Sequence, residues 1–338
     1  MREVALKYIE ETGITNEEYL TFLEKHYKER AHIKANARRR WYCSKGDFKI
    51  LLALVDGKIV GQNCAFKDTA IINGTETTIW WGCDAFVLPE TRGMGVGKKM
   101  QLKLHQELPN FSSVWYSPIN GIIKRKCGSK PLFSYNTAHY PISSFLKLYL
   151  IKVFKKLLKK DINFNYRIPY FYYYINSIFK KRYHISETEL CDTVYEFIDN
   201  STLKEHDFYV KRDKEYLEWR YKKNPNIKYF IVKVENRGKV EAIVIFTDIF
   251  TENKLAVSNI LDVFKDANSQ IADKDIVLTI GEFFKKKKAS IDGINFLCNC
   301  SYFPKRVHKT DILTTIETNK IIMHPYVSYS DQDMTQMY

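Results

Sequence analysis

Glycines alternate at 93, 95 and 97 in the run Arg92-Gly93-Met94-Gly95-Val96-Gly97-Lys98-Lys99, and this is the stretch whose residue types and spacing best suit chemistry. Alternating glycines let a backbone approach a ligand closely and aim several N–H groups into one concavity. The run follows a strand pattern ending at Val87 and precedes a helical pattern from about Lys98 to Glu107. A helix start adds the positive end of its dipole, about 0.3–1 kcal/mol toward an anion. Lys98 and Lys99 bring further charge, so the whole describes a cradle for a pyrophosphate. It is not the G-x-G-x-x-G of dinucleotide folds, and no acidic ribose ligand follows at the right distance. Nor is it a P-loop, because Gly97 is followed by Lys98-Lys99 and not by Lys-Ser or Lys-Thr.

Other reactive side chains are less organised. Seven cysteines are scattered, and Cys298-Asn299-Cys300 has one intervening residue, which suits neither a zinc knuckle nor a Cys-x-x-Cys redox pair. We therefore expect no metal, and a reducing cytoplasm. Cys83 and Cys127 have no placed histidine partner for a nucleophilic route. His105 and His139 read as surface or core histidines.

The elements that must hold the cradle are legible around it. Thr15 with Glu18 is a capping signal for a helix burying Tyr19, Leu20, Leu23 and Tyr27. Strands are expected at 48–54, 59–66 and 77–87, joined by Asp56-Gly57 and Asn73-Gly74, both strong hairpin turns. A short strand at 114–116 and a helix at 120–126 complete this part.

With 338 residues, 45% of them hydrophobic, the chain is long enough for two domains and too apolar for disorder. The start Met1-Arg2-Glu3-Val4 mixes charges unlike a signal peptide, and no run of 18 apolar residues occurs. Net charge is +14. Residues 141–183 concentrate it, with ten Lys/Arg against Asp161 alone. Helical period over 145–160 sets Leu146, Leu150, Val153, Phe154 and Leu157 opposite most lysines. This helix and the aromatic run 164–174 admit three readings: an interdomain helix, a weak contact with anionic membrane, or a platform for a phosphorylated acceptor. No nucleic-acid motif accompanies the charge, so nucleic acid is not expected as a partner.

The second half echoes the first: Arg40-Trp41-Tyr42 before Asp56-Gly57, and Trp219-Arg220-Tyr221 before Arg237-Gly238. After the strand expected at 255–263, however, Phe264-Lys265-Asp266-Ala267-Asn268 has no alternating glycines.

At the cradle the chain resembles the GNAT superfamily of acyl-CoA-dependent N-acetyltransferases. The signature Arg/Gln-x-x-Gly-x-Gly/Ala is met by Arg92, Gly95 and Gly97, after the lead-in Val87-Leu88-Pro89-Glu90. Asn120 and Cys127-Gly128 follow in the family's order, and the likeness covers about residues 14–135. It implies acetyl-CoA as co-substrate, its pyrophosphate on Arg92, Gly93, Met94, Gly95, Val96, Gly97 and Lys98, and its pantetheine along 83–87. Backbone N–H groups near Phe86 and Val87 would hold the thioester carbonyl, with Asn120 a further contact. Asp84 is the nearest candidate for the family's strand carboxylate, the general base. The family's usual acid, a tyrosine four residues before the late glycine, falls on Lys124. That departure leaves the acid open among Lys124, Tyr116 and Tyr135.

The resulting expectation is an α/β (α+β) chain of two GNAT-like domains, each a mixed, mostly antiparallel sheet flanked by helices. Residues 1–140 would bind acyl-CoA, 141–185 form the basic aromatic linker region, and 186–338 a second domain without the pyrophosphate loop. Asp213, Tyr216, Leu217, Trp219, Arg220 and Tyr221, with a late Asp331 and Asp333, resemble tandem proteins of bacterial surface-polysaccharide pathways. The acceptor would then be a small-molecule or lipid-linked amino sugar, acetylated in the cytoplasm or at the inner membrane face. Two alternatives stay open: a Fem-type aminoacyl transferase, and a non-catalytic acyl-CoA-binding membrane adaptor.

Overall fold

A computed structural model describes residues 3–28, 31–32, 34–35, 39–114, 116–141, 183–225, 227–252, 255–289, 291–298, 308–316 and 322. The basic helix expected at 145–160, the aromatic run 164–174 and the pair Asp331, Asp333 lie outside these residues. The chain divides into two compact units. Unit 1 comprises 1–134, 207–226 and 310–325, and unit 2 comprises 135–206, 227–309 and 326–338. Residues 207–226 and 310–325, inside the stretch expected as a second domain, thus belong to unit 1.

Unit 1 begins with β1 (Ala5–Tyr8), α1 (Asn16–Tyr27) and α2 (Arg39–Cys43), followed by β2 (Phe48–Val55), β3 (Lys58–Ile72) and β4 (Thr75–Val87). It continues through α3 (Val96–Glu107), β5 (Phe111–Ser113) and α4 (Pro118–Lys126). Thr15 caps α1, accepting from the Glu18 N–H while the Glu18 carboxylate accepts from the Thr15 N–H. The face of α1 that is fully buried holds Tyr19, Phe22 and Leu23, so Phe22 takes the place expected for Leu20. Both hairpins turn through positive φ at Asp56-Gly57 (51° and 75°) and Asn73-Gly74 (50° and 80°), as a two-residue turn matched to strand twist requires.

Strands β1 to β4 pair antiparallel in sequence order, and β5 joins β4 in parallel. Strand Phe208–Val210 pairs with the far end of β3, and strand His308–Thr314 pairs with β5. Strand β5 lies at 111–113 and not at 114–116. Asn110, at φ 54°, donates to Thr78 O while its own carbonyl accepts from Trp80 N–H, which sets the register three residues earlier. Helix α3 buries Val96, Met100 and Leu104 against Leu51, Ala53, Ala65 and Trp80. Each such side chain is worth about 1.5–3 kcal/mol when fully buried, which is what holds the helix start at the end of β4.

Unit 2 is also a mixed, mostly antiparallel sheet. Strands His184–Thr188, Tyr229–Asn236, Lys239–Thr247 and Leu255–Lys265 pair antiparallel in that order. Gly293–Cys298 joins Leu255–Lys265 in parallel, and 136–141 pairs antiparallel on its far side. Between the parallel strands runs helix Asp273–Lys286, whose Ile276, Val277, Ile280, Phe283 and Phe284 fill the core. Its first turn carries Asp273 and Asp275 and no glycine. Carboxylates there occupy the dipole end that an anion would need.

Candidate active site

The glycine loop is built by backbone. After β4, Pro89–Thr91 makes one 3-10 turn, in which buried Thr91 donates its hydroxyl to Leu88 O at 3.1 Å. Gly93 (φ 90°) and Gly95 (φ 75°) are left-handed, and Gly95 is the N-cap of α3. A Cβ at either would meet nothing within 4 Å. Conformation and not crowding therefore requires glycine here, and the space above the loop is open. No side chain caps α3, so its first N–H groups, which have no intrahelical acceptors, face that space. Val96 buries its side chain, whereas Arg92, Lys98 and Lys99 are exposed around it. Gly97 sits in the helix, where a Cβ would reach Ile123 at only 3.5 Å, ordinary contact.

Beside the loop the sheet splits. Strands β4 and β5 pair only at Trp80–Phe111 and Trp81–Ser112, after which β5 ends while β4 runs on to Val87. The edge of β4 around Phe86 and Val87 therefore has no β5 partner. Lys124 lies beneath the split. Its Nζ donates to Ser113 Oγ at 2.7 Å and to Gln101 Oε1 at 3.2 Å, and Gln101 also accepts from Asn63 Nδ2. Burial of this amine lowers its pKa from 10.5 to about 7, with the nearby Cys127 and Cys83 thiols acting weakly the other way.

Asp84 stands at a kink in β4. Gln62 pairs with Phe86 and Cys64 with Cys83, so Asp84 and Ala85 together oppose the single residue Asn63. This is a β-bulge, and Asp84 takes its left-handed position at φ 50°. A bulge re-aims side chains, and here the carboxylate turns inward. Asp84 Oδ1 accepts from Lys34 Nζ at 2.8 Å and from Tyr27 Oη at 2.9 Å, with both ion-pair partners under a tenth exposed. Gln62 Nε2 donates to Asp84 O while Tyr19 Oη donates to Gln62 Oε1, which ties the bulge to α1. Phe86 is sandwiched by Phe22 and His26, with ring centroids at 4.8 and 4.3 Å. Tyr19, Leu23, Lys34, Gln62, Cys64 and Asp84 help line one small cavity.

The other candidates are spread around this centre. Tyr116 is half-buried. Its ring lies where a Cβ on Gly121 would come within 2.6 Å, and burial holds its hydroxyl above its ordinary pKa while Arg125 opposes. Asn120 is in the first turn of α4, its N–H donating to Ser117 Oγ. Tyr135 is buried in unit 2. Cys127 is half-exposed with its thiol pKa raised by burial, a protonated and weakly nucleophilic state. His105 bridges Cys127 O and Ser129 Oγ, and burial lowers its pKa, as in a neutral structural histidine joining α3 to the end of α4. His139 lies in a strand of unit 2.

Sequence reasoning did not single out Lys34, Gln62, Gln101 or Ser113, and singled out Tyr19 and Tyr27 only as core. No local signal marks them, since each acquires its role through a partner at least 11 residues away. Among the described residues no three His, Cys, Asp or Glu side chains gather as metal ligands would, and no helix is long and apolar enough to cross a membrane.

A mixed sheet that splits above an open glycine loop at a helix start, with a carboxylate at a bulge beside the split, defines the α/β domain of unit 1. Residues 14–114 match the Acetyltransferase (GNAT) family model. No curated protein matches the sequence. Among solved structures, the chain is similar to an Enterococcus faecalis V583 conserved protein of unknown function, described as a probable N-acyltransferase. The TM-score is 0.57 at 13% identity, over 93% of this chain and 72% of that one. It is also similar to a GCN5-related N-acetyltransferase from Anabaena variabilis (TM-score 0.54, 13% identity, 92% and 72% covered). A third likeness is to Saccharomyces cerevisiae N-myristoyltransferase with bound myristoyl-CoA (TM-score 0.53, 13% identity, 92% and 78% covered). At such identities these likenesses establish the fold alone.

Proposed function

We propose that this chain transfers an acetyl group from acetyl-CoA to an amine, with an amino sugar carried on a nucleotide or lipid as acceptor. The observation that carries the reading is the open glycine loop at the start of α3, directly after a strand whose bulge bears a buried carboxylate. Arg92, Lys98 and the N–H groups of residues 93–97 would hold the pyrophosphate, with Asn120 a further contact. The solved relatives include one with bound myristoyl-CoA, which supports an acyl-CoA as the donor.

In this reading Asp84 takes a proton from the acceptor's ammonium, because only a neutral amine attacks a thioester. The amine nitrogen bonds to the carbonyl carbon while N–H groups near Phe86 and Val87 receive the developing oxyanion charge. The C–S bond then breaks, and the thiolate takes a proton. Lys124 and Tyr116 are the candidates for that last role. Lys124, its pKa lowered to about 7, is the better matched as an acid but is engaged by Ser113 and Gln101 beneath the split, whereas burial raises the Tyr116 pKa and weakens it as a donor. The tandem GNAT arrangement, the surface-polysaccharide setting and the weak anionic-membrane contact through 145–160 belong to the same proposal. Sedimentation with anionic against neutral vesicles tests the last.

One observation favours a second reading, a non-catalytic acyl-CoA binder: Lys34 already occupies Asp84. The Fem-type alternative is weaker, because its members do not depend on an intact loop of this kind. Calorimetric titration of acetyl-CoA into the wild type and Gly95→Asp is the deciding test, followed by thiol release with amino-sugar acceptors. We expect micromolar binding that the variant loses. No binding by the wild type overturns both acyl-CoA readings, and binding without turnover on any amine leaves the adaptor.

A further inference from the structure

We infer that Lys34 is itself an acyl acceptor: the chain acetylates its own Lys34 Nζ. The inference rests on the acyl-CoA reading above and goes beyond it, since it names a substrate amine within the molecule. The Nζ lies 2.8 Å from Asp84 Oδ1, at the β3–β4 bulge, three residues past the last β4–β5 pair at Trp81. It lines the same cavity as Asp84, and it sits 4.7 Å from the centre of the Tyr27 ring. An N-acyltransferase acceptor arrives as an ammonium and must be placed so that a base can remove one proton. Lys34 is an ammonium already so placed.

The pair is a poor device for stability alone. Both groups are buried, with side chains 6% and 9% exposed, and the desolvation of two charges consumes most of what their attraction returns. Holding the amine in place converts a bimolecular encounter into a unimolecular one, the circumstance in which intramolecular acylation is fastest.

The step balances. Asp84 accepts a proton from the Lys34 ammonium, and the freed lone pair forms the N–C bond to the thioester carbonyl carbon. The C–S bond breaks, its electron pair leaves with sulfur, and the thiolate takes up a proton to become the CoA thiol. The nitrogen keeps one hydrogen as an amide, and the Lys34 charge is lost. Acetyl-CoA is the only co-reactant.

The test is incubation of the full chain with isotopically labelled acetyl-CoA, then denaturation, proteolysis and mass-spectrometric mapping of acetyl-lysine against time. Binding is measured in parallel by calorimetry. We expect Lys34 to label about a hundredfold faster than exposed Lys58 and Lys126, at a rate independent of protein concentration, with equal thiol release. Asp84→Asn should slow Lys34 labelling by about a hundredfold and leave Lys58 unchanged. Gly95→Asp, which leaves the Lys34–Asp84 pair in place, should slow Lys34 alone and serves if Asp84→Asn does not fold. Lys34→Arg should remove the fast site without a compensating one. If acetyl-CoA binds and Lys34 labels no faster than Lys58, the inference falls while the acyltransferase reading stands. If Lys34 labels equally in wild type and Gly95→Asp, the modification is plain chemical acetylation and the inference falls. If acetyl-CoA does not bind, both fall.

Discussion

Trp41 and Trp219 exchange hydrogen bonds. The indole N–H of Trp41 donates to the Trp219 carbonyl at 2.9 Å, and that of Trp219 donates to the Trp41 carbonyl at 3.0 Å. The rings stack with centroids 4.5 Å apart and planes within 8°. Such reciprocity describes a local two-fold relation between the Arg40-Trp41-Tyr42 and Trp219-Arg220-Tyr221 segments. Sequence sets these up as counterparts in two repeats, yet within unit 1 they touch each other. Lys45 caps the stack, its Nζ 4.4 Å from the Trp219 ring and 2.6 Å from Asp68 Oδ1.

Replacing Trp219 with alanine should therefore cost about 3–5 kcal/mol, the range for removing a buried aromatic side chain. Trp219→Phe keeps most of the ring but removes one of two donors to the Trp41 carbonyl, which still accepts from Ser44 Oγ, at about 0.5–1.5 kcal/mol. Denaturant unfolding followed by indole fluorescence reads both. Equal effects of the two variants would mean that the hydrogen bonds matter more than the stack.

Lys124 should tie stability to pH. Its folded pKa is about 7 against an ordinary 10.5, so between these values the unfolded chain binds more protons than the folded one. Stability then rises with pH across that window, by up to about 1.4 kcal/mol per unit. The penalty for burying the charge is present in full below pH 7. Lys124→Met removes that slope, and urea midpoints from pH 6 to 9.5 should become flatter in the variant. Parallel curves would contradict the burial of a titrating amine.

Gly121→Ala sets two effects against each other. Alanine favours a helix over glycine by about 1 kcal/mol, but here its Cβ would come within 2.6 Å of the Tyr116 ring. The ring must swing away. Stability should change by less than about 1 kcal/mol, because the gain offsets part of the repacking. Thiol release should nonetheless fall if Tyr116 supplies the proton to the leaving group. Unchanged turnover with a displaced ring would remove Tyr116 from the mechanism.

Asp84→Asn should lower kcat by about 10²–10⁴ with little change in acetyl-CoA affinity. It also strands the buried Lys34 charge, at about 3–5 kcal/mol. Adding Lys34→Met to it should restore most of the stability and none of the turnover. Thermal unfolding and steady-state rates of the three variants separate the structural part of the pair from the chemical part.

What could be read from sequence alone was decided within a few residues. The Thr15–Glu18 cap, the turns at Asp56-Gly57 and Asn73-Gly74 and the left-handed Gly93 and Gly95 each depend on local φ/ψ freedom and on hydrogen bonds to near neighbours. The alternating glycines between a strand and a helix marked the left-handed loop for the same reason. The position of β5 escaped that reading, because an asparagine bonded 32 residues back sets its register. The site's electrostatics escaped it too. Lys34 meets Asp84 across 50 residues, and Trp41 meets Trp219 across 178. Lys124, at the tyrosine position of the family pattern, acquires its near-neutral pKa only because α3, α4 and β5 close over it. Which buried group faces which depends on how surfaces pack, and no local propensity encodes that.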